Sequence, residues 1–263
     1  YIEFDRDWGL TAEDRENPAA ERLFKAGIGL DKDEHNRFSY SVYLRNREDV
    51  LNGMQQSGTW DLQLGNRVYV KQEFFRLKST KDSLDSDWTR YLGNVSFQSK
   101  ILVPGYQFSL DRNSLSNAET DSVLSTAMNF QEHLFYLKSN DSLNYQFRVD
   151  VASREDKAPF GGRLLDDTRA LTSNFSFQKR WPQHSLTSTF TYRELDYLMR
   201  DLPTELTVMG KLDYQGSLGK NLIRNEVSYA IGNGRELQRE FVFLLAPNGN
   251  GTHTWRDDNG DGI

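Results

Sequence analysis

Residues 143–153 read LNYQFRVDVAS, and the odd positions from Leu143 to Val151 are Leu143, Tyr145, Phe147, Val149 and Val151. The even positions between them are Asn144, Gln146, Arg148 and Asp150. Side chains on a strand alternate between two faces, so this stretch predicts a strand with one apolar, aromatic face and one charged face. The pattern recurs along the chain. Phe24, Ala26, Ile28 and Leu30 share a face, as do Phe38, Tyr40, Val42 and Leu44 opposite Ser39, Ser41, Tyr43 and Arg45. Val95, Phe97, Ile101 and Val103 are read as one face, and Tyr106, Phe108 and Leu110 as another. Leu171, Phe175 and Phe177 follow, then Leu186, Phe190 and Tyr192. Leu206, Val208, Leu212 and Tyr214 precede Ile223, Val227, Tyr229 and Ile231. Period two and strand-forming residue types dominate the chain.

The connections divide into two kinds. DKDEHN at 31–36, GN at 65–66, PG at 104–105, SNDS at 139–142, PQ at 182–183 and GSLGKN at 216–221 read as hairpin turns. Between them lie longer polar links at 46–58, 78–91, 112–127, 153–168 and 194–205. EDVLNGMQ and TDSVLSTAM within those links could each hold a helical turn, and AEDRENPAAERLF a short helical link. The fold class predicted is all-β, an antiparallel up-and-down meander of about 12–14 strands. Three segments are expected: 1–23 as a leading strand and link, 24–245 as the hairpin meander, and 246–263 as a Gly/Asp-rich loop.

Three partners satisfy the apolar faces: membrane lipid, a protein core, or lipid carried as cargo. Short turns at one end and long loops at the other match outer-membrane β-barrels, whose strands need about 9–11 residues to cross. Segments 92–103, 128–138, 143–152 and 169–181 suit that length, and Tyr91, Trp181, Tyr192 and Tyr214 near strand ends suit interfacial aromatic girdles. A soluble sandwich gives the same alternation with shorter strands. An amphipathic sheet curled around acyl chains also gives it, and tolerates the low mean hydropathy better.

Composition removes several classes. The net charge of −6 and the lack of any Lys/Arg run argue against nucleic acid as a partner. There is no cysteine, so disulfides, thiol catalysis and zinc-thiolate sites are excluded. YIEFDRDWGL has neither the basic region nor the apolar run of a signal peptide, and the chain is expected to be a segment of a longer mature protein.

The ends carry a family likeness. YIEFDRDWGL at the start, the aromatic hairpins, and GNGTHTWRDDNGDGI at the end resemble the large outer-membrane β-proteins of Bacteroidota. Gly249, Gly251, Thr254, Trp255, Asp257, Asn259, Asp261, Gly262 and Ile263 match the closing pattern of those proteins. The resemblance implies an envelope location and a largely unassigned function.

One candidate site stands out. Asp257, Asn259 and Asp261 alternate ahead of Gly262, the first half of a D-x-[DN]-x-[DN]-G loop in which oxygens converge on Ca²⁺ and glycine permits the sharp turn. Asp258 is an additional ligand candidate, and an ordinary Asn/Asp/Gly turn reads the same way. The acidic stretches DSLDSD at 82–87 and LLDDT at 164–168 read as solvated loop tips. His35, His133, His184 and His253 are scattered, and no nucleophile elbow, phosphate loop or HExxH occurs. The expectation is a non-enzymatic envelope protein in the outer membrane or at the surface of a Gram-negative bacterium. Its strands would form part or all of a β-barrel for transport or scaffolding, with membrane lipid against the sheet and envelope partners on the long loops. The alternative is a soluble amphipathic sheet that binds lipid or a surface partner.

Overall fold

A computed structural model describes residue 8 and residues 19–48, 50–81, 83–124, 127–219 and 222–233. These residues belong to one compact unit, which ends at Asn233. They form twelve strands: β1 (Glu21–Asp33), β2 (Asn36–Arg47), β3 (Leu51–Leu64), β4 (Val68–Lys81), β5 (Leu84–Phe97), β6 (Leu102–Asn117), β7 (Met128–Ser139), β8 (Tyr145–Phe160), β9 (Arg163–Trp181), β10 (His184–Tyr197), β11 (Glu205–Leu218) and β12 (Ile223–Asn233). They make a single sheet in sequence order, each strand hydrogen-bonded only to its neighbours in the chain. The pairs are antiparallel throughout, from β1 with β2 to β11 with β12. The chain is therefore an all-β meander, and no helix occurs among the described residues. β1 and β12 each pair on one side only, so among these residues the sheet is open.

The turns carry local chemistry that fixes register. At the β1–β2 turn Asp33 accepts from Asn36 Nδ2 at 2.9 Å and from the His35 backbone N–H at 2.9 Å. These bonds hold the Asp33 carboxyl below its ordinary pKa. Gly161 and Gly162 form the whole β8–β9 loop with φ of 57° and 77°. A two-residue hairpin of type I′ needs positive φ at both positions, and glycine supplies it without strain.

Several expectations are corrected. The strands run from 11 residues in β12 to 19 in β9, so all but β12 exceed the about 9–11 residues a crossing needs. The polar links at 78–91 and 153–168 are paired strand almost to their tips, and β3 begins at Leu51 inside the link 46–58. Residues 118–127 and 198–204 remain between strands. Leu51–Gln55 are strand rather than a helical turn, and so are Glu21–Phe24 of the expected helical link. In TDSVLSTAM, Val123 makes an isolated bridge to Ser116 and Met128 opens β7.

Pro104 and Gly105 lie inside β6, and the turn falls at 98–101 instead. Ser99 organises it: its hydroxyl donates to the Leu102 carbonyl at 2.6 Å and accepts from the Leu102 N–H at 3.0 Å. Segment 92–103 is thus two strands, and Val103 faces opposite to Val95 and Phe97. Gly105 has a packing reason to be glycine. It sits across from Tyr136, whose ring occupies the place a Cβ would take. The ring lies across β6, and its hydroxyl donates to Asn94 Oδ1 on β5 at 3.2 Å. Gly105→Val should displace the ring and cost about 1–3 kcal/mol, while Tyr136→Ala should largely remove that difference. Denaturant unfolding of the four proteins of that cycle measures it.

Candidate functional site

Directly paired residues share a face, so the register sorts every described strand residue onto one of two surfaces. One surface is apolar. Across β8, β9 and β10 it carries Val149, Phe175 and Phe190 in one row; across β1, β2 and β3 it carries Phe24, Leu44 and Met54. The other surface is polar, with Asp150, Asn174 and Thr191 in the matching row.

The burial of the two surfaces is inverted relative to a protein with a dry core. Arg45 and Asp150 on the polar face are 5% and 7% exposed, and Gln55, Ser79 and Ser96 there are buried too. On the apolar face Phe135 is 62% exposed, and Leu44, Val149, Leu171, Phe175 and Phe190, all on interior strands, are exposed as well. A flat sheet would expose both faces equally. The sheet therefore curls with its polar face inward. Val103, Ala152 and Ala170 are the buried apolar residues on that inner face outside its one small cluster.

The apolar surface is a band, not a whole face. It spans about nine residues per strand on the side of the β1–β2, β3–β4, β5–β6, β7–β8, β9–β10 and β11–β12 turns, for instance Leu102–Leu110 on β6 and His184–Tyr192 on β10. Nine residues rise roughly 30 Å along a strand, which a tilt near 40° reduces to about 23 Å. Towards the opposite strand ends the same face becomes charged. Arg76 and Lys78 on β4 meet Asp87 on β5 at 3.1 and 3.3 Å, Arg169 meets Glu155 at 3.2 Å, and Lys157 meets Asp166 at 2.9 Å. The acidic stretches expected at loop tips are thus partly paired across strands. Tyr91 and Tyr192 sit at the charged border, while Trp60, Tyr145, Trp181 and Tyr214 sit nearer the turns at the band's end, all on the apolar face.

The inner face is held by polar contacts. Asp150 accepts from Arg148 Nε and from Asn174 Nδ2, each at 2.8 Å, and Asn174 Oδ1 accepts from Thr191 at 2.9 Å. The Arg148 guanidinium lies over the Tyr136 ring at 4.8 Å, and Trp88 Nε1 donates to Asp111 at 2.8 Å. Arg90 stacks on Phe75 and Trp88 at 4.3 and 4.4 Å. One compact apolar cluster interrupts this surface: Trp8, Leu51 and Leu77, flanked by Tyr43, Val50, Phe75 and Trp88. Trp8 comes from the leading segment, and alternation could not reveal it because it belongs to no described strand.

Asp257, Asn259 and Asp261, with Asp258, lie outside the described residues, as does His253. No cluster of three or more His, Asp or Glu suited to a metal occurs among the described residues. His133 Nδ1 bonds the Tyr106 hydroxyl at 2.7 Å and His184 Nδ1 the Tyr214 hydroxyl at 2.8 Å, both on the apolar face. A groove of about 670 Å³ near the β9–β10 turn, lined by Trp181, His184, Gly216 and Arg224, is open to solvent.

The fold and its two faces define an all-β antiparallel meander with an exposed apolar band and a sheltered polar surface. No protein-family model matches the chain, and no curated protein does. Among solved structures it is similar to the translocator domain of the autotransporter NalP from Neisseria meningitidis. That likeness has 10% identity and a TM-score of 0.23, and covers 89% of this chain and 90% of the other. At that TM-score the superposition carries no argument, and nothing in these comparisons supports the Bacteroidota likeness of the chain ends.

Proposed function

We propose that the chain forms part or all of a β-barrel in the outer membrane of a Gram-negative bacterium, with lipid against its apolar band. The observation that carries this reading is the inverted burial on the interior strands: charged Arg45 and Asp150 are sheltered while Phe135, Val149 and Phe190 are exposed. Contiguous apolar surface on this scale has a partner, and a transmembrane barrel alternates apolar outward with polar inward. A lipid conduit or a sandwich would bury the apolar face, and these residues expose it. Backbone groups left unpaired in hydrocarbon cost several kcal/mol each, so this reading requires the edges of β1 and β12 to be paired, with each other or with further strands. The polar inner face and the charged hairpin extensions suit passive transport or surface scaffolding, without an enzymatic step.

The test is partitioning. Expressed with a signal peptide and its native flanks, the protein should need detergent or lipid to stay folded. It should also migrate faster in unboiled than in boiled gel samples. A monodisperse, folded protein in plain buffer overturns the reading.

A further inference from the structure

We infer that β1 and β12 pair with each other, closing the twelve strands into a barrel with Lys25 opposite Glu226. The inference rests on the proposed membrane reading, in which hydrocarbon forbids a bare strand edge. Both edges are free among the described residues. Neither strand carries a proline that would bar pairing, and β12 meets β11 without a bulge.

The registers fix where the two edges meet. A row of directly paired residues starts at Leu30 and Phe38, at the turn end of the apolar band, and crosses the sheet to Glu194 and Leu206. Leu206 lies at the far end of β11, whereas the last apolar residue of that face at the turn end is Leu218. The band has therefore slipped twelve residues, from Leu206 to Leu218, over the ten pairings from β1 to β11. At about 3.3 Å per residue and about 4.8 Å between strands, that slip is a strand tilt of about 40°, within the range of closed barrels. Carried round all twelve strands it totals about 14 residues.

Only an even total keeps outward residues beside outward ones. The total reached places Ile28 opposite Ile223 and Phe24 opposite Val227 on the apolar face, and Lys25 opposite Glu226 on the inner face. Two residues less would set Ile28 against Asn225 and Lys25 against Ser228. Two residues more would set Phe24 against Asn225 and Lys25 against Arg224, a like-charge pair. The slip of the band and the chemistry of the edges are independent, and they select the same register. A strand standing between β1 and β12 gives no reason for their side chains to match.

The absence of native cysteine allows a direct test. Lys25→Cys and Glu226→Cys are combined in the chain with its native flanks, which is assembled in lipid vesicles and oxidised. Directly opposite residues have the Cα separation a disulfide needs, and residues four positions out of register do not. An intramolecular disulfide, read as a mobility change in boiled non-reducing gels, should form at least about tenfold faster than in Lys25→Cys with Ala230→Cys. Leu23→Cys with Ser228→Cys has the same stagger and decides the matter if the first pair does not assemble. Cross-links only between two chains would put a second copy at the edge. An assembled protein that forms no cross-link would put another strand there. Either result overturns the inference, and so does faster closure of Lys25→Cys with Ser228→Cys or with Arg224→Cys. None of these results touches the lipid partner of the apolar band, whose failure shows separately as a folded, monodisperse protein in plain buffer.

Discussion

Phe175→Arg is expected to block stable assembly of the protein in lipid vesicles, while Gln178→Arg, three residues along β9, leaves assembly near its original yield. Phe175 lies mid-band on the apolar face, directly between Val149 of β8 and Phe190 of β10. Arginine at the midplane of a barrel's lipid face costs about 2–4 kcal/mol. Marginal stability of about 5–15 kcal/mol leaves little reserve against such a loss. Gln178 faces the other way, opposite Gln146 and Thr187, where a charge meets water and polar neighbours. Vesicle assembly followed by protease protection and gel mobility separates the two variants. The reverse order, with the inner-face arginine damaging and the outer one tolerated, would place the dry side of the sheet on its inner face and remove the bilayer from the account. Equal tolerance of both would leave the apolar band without a lipid partner.

The contrast between neighbouring positions also explains what could be read from the sequence. Where one face is apolar and the other polar, alternation identifies both strand and face, as it does for Phe38–Leu44 and Tyr145–Val151. Beyond the band both faces turn polar, the alternation vanishes, and KSTKDSLDSDWTRY looks like a loop. The backbone there is nonetheless paired, and cross-strand contacts replace the hydrophobic signal: Thr80 donates to Asp85 at 2.6 Å, and Lys78 reaches Asp87. Short and long links therefore alternate in sequence chemistry more than in backbone. The Pro104-Gly105 pair misleads for a different reason. Local turn propensity is overruled by Tyr136, which needs the empty space above Gly105, and by Ser99, which closes the turn earlier. Trp8 was illegible because its burial depends on Gly53, Leu51 and Leu77, more than 40 positions away, and no periodicity links them.

Asp150→Ala should destabilise the assembled protein by about 1–3 kcal/mol, the range for leaving a sheltered polar partner unsatisfied. The carboxylate joins three strands. Arg148 on β8 donates to one oxygen, Asn174 on β9 to the other, and Asn174 in turn accepts from Thr191 on β10. Arg148 is 43% exposed along its side chain, so its guanidinium can turn to water and is not stranded. The loss then falls mainly on Asn174, which keeps Thr191 but loses its acceptor. Asp150→Asn retains an acceptor without the charge and should cost less, about 1 kcal/mol. Asn174→Ala added to Asp150→Ala should cost less than the sum of the two single changes, by about 0.5–1 kcal/mol, because both remove the same bond. Urea unfolding from vesicles measures the parent and all four variants in one experiment. A loss below about 0.5 kcal/mol for Asp150→Ala would mean that water takes the carboxylate's place freely. The inner face would then be a wet passage whose polar residues are interchangeable. A loss in the expected range makes the network a structural tie between β8, β9 and β10. It also gives those strands a source of cohesion on a face with almost no apolar contacts of its own.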